Sequence, residues 1–204
     1  MEAMLLREIA PFKQNSTPLS FEEAPEPIIG KGEILLRVTR CGVCHTELDE
    51  IEGRTPPPHL PVVLGHQVVG IVEESSNDFS RLTAGQRVGV AWIASACGKC
   101  KYCLSANLCA EFKATGRDVD GGYAEYMKVR ADFAHPIPDS ISDSEAAPLL
   151  CAGAVGYRAL KLTNLRDGQS LGLMGFGGSN HIVLKTAKHK FPKSKIFVFS
   201  RNPT

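Results

Sequence analysis

The chain has 204 residues, 43% of them hydrophobic and 22% charged, with 23 Lys and Arg against 22 Asp and Glu. A near-neutral balance without basic blocks gives no ground for nucleic acid or an anionic membrane surface as partner. No apolar run approaches the ~20 residues needed to cross a bilayer, and "MEAMLLREIAPF" lacks the basic start and long apolar run of a signal peptide.

A cytoplasmic protein is therefore expected, with thiols kept reduced. In that setting its seven cysteines are metal ligands, nucleophiles or small core residues before they are disulfides.

In chain order, the first ~165 residues read as β-rich, with short apolar or alternating runs broken by Gly and Pro. "GEILLRVTRCGVC" (32–44) puts Ile34, Leu36 and Val38 on one face and Leu35 and Arg37 on the other. "VVGIVEES" (68–75), "QRVGVAW" (86–92) and "YAEYMKVRA" (123–131) are similar strands. "EGRTPPPHLP" (52–61) is irregular, because its prolines lack donors and fix φ. At Ser142 the texture changes: "SDSE" is a capping box from Ser142 to Glu145, followed by an Ala/Leu-rich helical pattern through about Leu162. Strand, Gly-rich turn and helix follow over 169–191, then a second apolar strand over 195–200. That is one βαβ unit, against the roughly six parallel strands of a doubly wound dinucleotide domain. Two strands and a helix leave apolar surface exposed, so the expectation is either a piece of a longer polypeptide or a truncated relative.

Cys97-x2-Cys100-x2-Cys103-x5-Cys109 is the densest feature. Ligands this close can wrap one ion tetrahedrally, and four thiolates match structural zinc. A ferredoxin run ends C-x3-C-P, whereas here the last gap is five and Ala110 follows. A closed shell of four thiolates has no open position and does no chemistry itself. A catalytic ion needs an open position, and its ligands can lie far apart in sequence. Candidates are Cys41, Cys44 and His45 in "CGVCHTE" (41–47), His66 in "LGHQVVG" (64–70) and Cys151 in "PLLCAGAVGY" (148–157). Each has a plain alternative: strand cysteines, a satisfied buried imidazole, a helical core residue.

"CGVCHTEL", "GHQVVGIVE", "CGKCKYC…C", "DGGYAEY", "PLLCAGAVGYRAL" and "GFGG" occur in the order and approximate spacing of the zinc-dependent alcohol dehydrogenases. The chain resembles that medium-chain dehydrogenase/reductase family from about Met4 to its last residue. The resemblance implies a mixed β and α/β fold. A GroES-like β-rich catalytic domain (1–141, structural-zinc loop 97–109) would precede a truncated Rossmann βαβ unit behind a linker helix (142–204). It implies two zinc ions per chain, one on Cys97, Cys100, Cys103 and Cys109 and one, catalytic, on Cys44, His66 and Cys151, with Cys41 not a ligand. Thr46 resembles the hydroxyl that takes the alcohol proton, His45 the basic contact to the cofactor pyrophosphate, and Glu47 the carboxylate that orients a metal ligand. Trp92 lies where the family lines its substrate pocket. The implied activity is hydride transfer between an alcohol or aldehyde and a nicotinamide cofactor, by a homo-oligomer if full length. The rival reading is a catalytically inactive zinc-binding fragment or interaction module.

"GFGGSN" (175–180) supplies Gly175, Gly177 and Gly178 between strand and helix, as a pyrophosphate turn requires. The third glycine position is Asn180, so looser helix–strand packing is expected there. The second strand ends in Ser200-Arg201, where an acidic residue would hold the ribose of NAD and Arg suits the 2′-phosphate. NADP is expected over NAD. Departures from the family are Gln67 in "GHQ", Asp49 where a relay His usually stands, and a Cys103–Cys109 gap two residues shorter than usual. Cys109 is therefore the least secure ligand of the four.

Overall fold

The computed structural model describes residues 1–76, 82–105 and 108–201, so positions 106 and 107 of the four-cysteine segment lie outside the described residues. The chain forms two compact units, Met1–Leu150 and Cys151–Thr204.

In the first unit the strands are β1 (Glu2–Leu6), β2 (Leu19–Glu23), β3 (Glu33–Gly42), β4 (Val62–Val63), β5 (Gln67–Ser75), β6 (Arg87–Val90), β7 (Ile93–Ser95), β8 (Lys113–Ala114), β9 (Tyr126–Arg130) and β10 (Ala134–Pro136). Its helices are α1 (His45–Ile51), α2 (Lys101–Leu104) and α3 (Asp143–Pro148). An antiparallel sheet of order β10-β6-β5-β3-β9 carries the main core. The alternation read in β3 holds: Ile34 and Leu36 are fully buried, beside Val68, Val72, Val88, Val90 and Met127. Burying such side chains stabilises the sheet by roughly 1.5–3 kcal/mol each. A smaller sheet, β2-β1-β4, and the β7-β8 ribbon complete the unit. The stretch 52–61 is irregular, as its prolines dictate.

Two features depart from the β-rich reading. First, the chain turns into α1 directly after β3. Cys44 is extended, and the Glu47 carboxylate accepts a hydrogen bond from Cys44 N at 2.8 Å, one half of a capping box. Second, the helical run after Ser142 is not uniform. Ser142 and Glu145 cap α3 reciprocally, Glu145 N donating to Ser142 Oγ (3.4 Å) and Ser142 N to the Glu145 carboxylate (3.0 Å). Pro148 then withholds a donor, and Leu149–Gly153 widens into a π-turn that contains Cys151.

In the second unit α4 (Ala154–Leu162) leads to β11 (Ser170–Met174), α5 (Gly178–Lys190) and β12 (Lys195–Phe199). The two strands pair in parallel. Leu160, Leu171, Leu173, Val183 and Ala187 form its core. Two helices pack on this two-stranded sheet, and Met174, Phe197, Val198 and Phe199 are exposed. Among the described residues no helix is long and apolar enough to cross a membrane.

Candidate metal centres and cofactor turn

The β7–β8 ribbon presents the four-cysteine loop. Its sulfurs stand 3.5 Å (Cys100–Cys103), 3.6 Å (Cys97–Cys109), 3.9 Å (Cys97–Cys103) and 3.9 Å (Cys100–Cys109) apart. A tetrahedral ion with Zn–S bonds of ~2.3 Å holds its sulfurs ~3.8 Å apart. The quartet is therefore dimensioned for one such ion, and Cys109 stands with the other three despite the short gap. Backbone N–H groups of Lys99 and Cys100 hold the Cys97 thiol down to about 6. Burial first, and the Cys100 thiol next, push Cys103 up to about 12.

The second group starts at the end of β3. Cys44 caps α1, and His66 lies just before β5, 1% exposed. Glu47 on the first turn of α1 is buried, its Oε1 2.6 Å from His66 Nδ1. Nδ1, Nε2 and Glu47 Oε1 are all buried without an aligned hydrogen bond, so the 2.6 Å contact is a close charge approach on the Nδ1 side, which leaves Nε2 to ligate. Cys151 follows Leu150, whose side chain packs with Val69, Ala146 and Ala147 in the first unit. One ligand atom each of Cys44, His66 and Cys151 lies within 4.8 Å of the others. An orphaned imidazole nitrogen beside two sulfurs is a donor set that fits zinc. Cys41 belongs to neither group; burial pushes its thiol up to about 12.

Thr46 Oγ1 lies 3.7 Å from Cys44 Sγ. His45 is 75% exposed, with Nε2 3.8 Å from Asp49 Oδ1. Gln67 is buried at the start of β5. Trp92 stacks against Phe112 with ring centroids 5.1 Å apart. The residue that sequence reasoning missed is Glu50: it is fully buried and neither carboxyl oxygen has a hydrogen-bond partner.

In the second unit the glycine turn joins β11 to α5. Gly175 has φ +79°, which excludes most side chains, and its N–H donates to Phe199 O at 2.7 Å. A Cβ at Gly177 or Gly178 would meet nothing within 4 Å, so the N-terminus of α5 lies open. Asn180, at the third glycine position, ties the turn: its amide donates to Met174 O (2.9 Å) and Gly175 O (3.0 Å). Arg201 is exposed two residues beyond β12.

An antiparallel β-domain with a cysteine loop, followed by a parallel βαβ unit with a glycine turn, defines a GroES-like fold joined to a Rossmann-type unit. Residues 30–139 match the family described as the alcohol dehydrogenase GroES-like domain, and the chain belongs to that family. It is 44% identical over 179 residues to an alcohol dehydrogenase of Geobacillus stearothermophilus, covering 86% of this chain and 53% of the relative. Among solved structures it resembles a cinnamyl alcohol dehydrogenase of Sorghum bicolor (30% identity, TM-score 0.86, 99% of this chain and 58% of that one). It also resembles a cobalt- and zinc-bound thermostable alcohol dehydrogenase of Pyrobaculum aerophilum (25% identity, TM-score 0.88, 99% and 60%). The chain spans about half the length of the curated relatives it matches.

Proposed function

We propose that this chain carries the metal centres and the phosphate turn of a zinc-dependent alcohol/aldehyde oxidoreductase. Residues 1–141 together with Cys151 take the catalytic role, and the rest of 142–204 the cofactor role. The observation that carries the reading is the convergence of Cys44, His66 and Cys151, with Nε2 of His66 buried and unsatisfied. Zinc bound there supplies a Lewis acid that lowers the pKa of an alcohol. Glu47 fixes the His66 ring through Nδ1 and so keeps Nε2 as the donor. Thr46 offers the hydroxyl that takes the alcohol proton and passes it outward past exposed His45. The alcohol carbon loses a hydride to the nicotinamide ring and the hydroxyl loses a proton, so two electrons leave the substrate and both nuclei are accounted for. The Gly175–Gly178 turn takes the cofactor pyrophosphate, and His45 is the basic contact that the family resemblance implies. The second unit holds nine Lys and Arg against one acidic residue, Asp167, which suits an anionic dinucleotide. Ser200 and Arg201, with no carboxylate, suit the 2′-phosphate of NADP.

Metal analysis tests the reading. The chain should hold two zinc ions, and His66→Ala should hold one. A wild-type count of one, unchanged in His66→Ala, refutes the catalytic centre. A silent metal-binding module is the second reading, favoured by the two-stranded sheet, which offers few nucleotide contacts. Titration of residues 1–204 with NADPH should accordingly be weak and non-saturating; tight saturable binding removes that second reading. In the intact enzyme, aldehyde reduction with NADH as efficient as with NADPH refutes the cofactor preference.

A further inference from the structure

The four-cysteine loop and His66 are joined by an unbroken run of contacts inside the first unit. At the loop's end, Cys109 is buried; its carbonyl accepts from Phe112 N (3.3 Å) and its sulfur from Glu111 N (3.4 Å). The ligand that closes the shell thus also places Phe112. The Phe112 and Trp92 rings both face Arg117, whose Cζ lies 5.4 Å and 5.8 Å from their centroids. Trp92 Nε1 is buried with no hydrogen-bond partner, so ring contacts rather than a polar anchor hold that indole. Arg117 Nη2 pairs with Asp118 (2.7 Å), whose carboxylate also accepts from Ala114 N (2.7 Å). A guanidinium is attracted to aromatic faces at such distances.

The turn that carries Arg117 has no slack against the backbone before His66. A Cβ on Gly116 would stand 2.8 Å from Gly65 N, and one on Gly121 would stand 2.1 Å from Gly65 O. Gly122 N donates to Gly65 O (2.9 Å), Tyr123 N to Leu64 O (3.0 Å) and Val63 N to the Asp120 carboxylate (2.9 Å). Gly65 has φ +98° and directly precedes the buried imidazole. Packing this close transmits displacement instead of absorbing it.

We propose that the four-cysteine loop positions His66 through Arg117, so that metal binding at the loop and at the Cys44–His66 centre are coupled. Arg117 is a positioning residue in this scheme. The inference rests on the two-ion reading above, and by linkage the coupling is reciprocal.

The test follows release of both ions from the zinc-loaded full chain to a chromophoric chelator. The release phase missing from His66→Ala identifies the second centre, and Trp92, the chain's single tryptophan, reports the loop by fluorescence. In wild type, emptying the loop should speed release from the second centre about tenfold, within the usual range of coupling between sites. Arg117→Met, which keeps the stem but loses charge and plane, should still bind two ions. It should release the second-centre ion about tenfold faster whether or not the loop is filled. Arg117→Lys should restore part of the effect. General destabilisation would speed both phases together and would overturn the proposal, as would a wild-type release rate in Arg117→Met. If Arg117→Met does not fold, Phe112→Leu removes one face of the stack and carries the same expectations. A wild-type chain that binds one ion refutes the two-ion reading itself, whereas two ions released independently refute only the coupling.

Discussion

Cys109→Ser is expected to bind one zinc ion fewer than wild type, to lose hydrogen-exchange protection over residues 97–112 and to melt at lower temperature. The second ion stays at equilibrium. The reason lies in how little else holds the segment. Helix α2 has four residues and buries none of them, and Tyr102, Leu104 and Leu108 all face solvent. Cys109 is the buried exception. Hydrophobic burial therefore cannot order the loop, and the sulfur spacing shows what can. Where metal shapes a site that is absent from the unfolded chain, its binding free energy is folding free energy, on the order of 10 kcal/mol for structural zinc. Only part of that appears as global stability, because a loop on a two-stranded ribbon opens separately from the main sheet. Exchange protection localised by mass spectrometry, with zinc counted on the same samples, checks the expectation. A Cys109→Ser chain that keeps both ions and full protection would show that three cysteines suffice and that the sulfur geometry misleads.

Legibility in the sequence followed the range of the forces involved. The faces of β3 were readable because alternation is local, and Ile34 and Leu36 are buried as that pattern requires. The cysteine quartet was readable because its spacing is short. Cys44, His66 and Cys151 were not separable by spacing from ordinary core residues, since their meeting depends on tertiary packing; only resemblance to a family singled them out. Helix α1 was invisible for a sharper reason. Its cap is a cysteine, outside the usual Ser, Thr, Asp or Asn signature, and the face it buries carries two carboxylates beside Ile51. Leu48 is exposed while Glu47 and Glu50 are buried. A periodicity rule puts carboxylates outside; here Glu47 is inside to hold His66. Asn180 shows the opposite case. Its departure from glycine suggested looser packing, yet its amide ties the turn by two hydrogen bonds.

Glu50 has no such partner, and this predicts a pH dependence. Burial first, and the charge of Glu47 next, push its carboxyl up to about 8, with Asp118 and Asp49 acting the same way and Arg117 opposing them. In the unfolded chain the group returns to its ordinary value of 4.5. Between those two values the native state binds more protons than the unfolded state, so stability falls as pH rises. The contribution is complete below about 4.5 and is lost as pH passes about 8. At ~1.4 kcal/mol per pH unit, the full span amounts to on the order of 3–5 kcal/mol. Thermal melting of the metal-free chain between pH 5 and pH 9 should show this decline. Glu50→Gln, neutral and of the same shape, should flatten it and make the variant the more stable form at the alkaline end. Parallel curves for the two proteins would mean that Glu50 is ionised in the fold and matched by a cation, with Arg117 the first to examine. In the expected case, the protein keeps a neutral acid one helical turn from the Glu47–His66 pair. Packing alone does not account for that carboxyl, because a leucine would fill the same space without the alkaline cost.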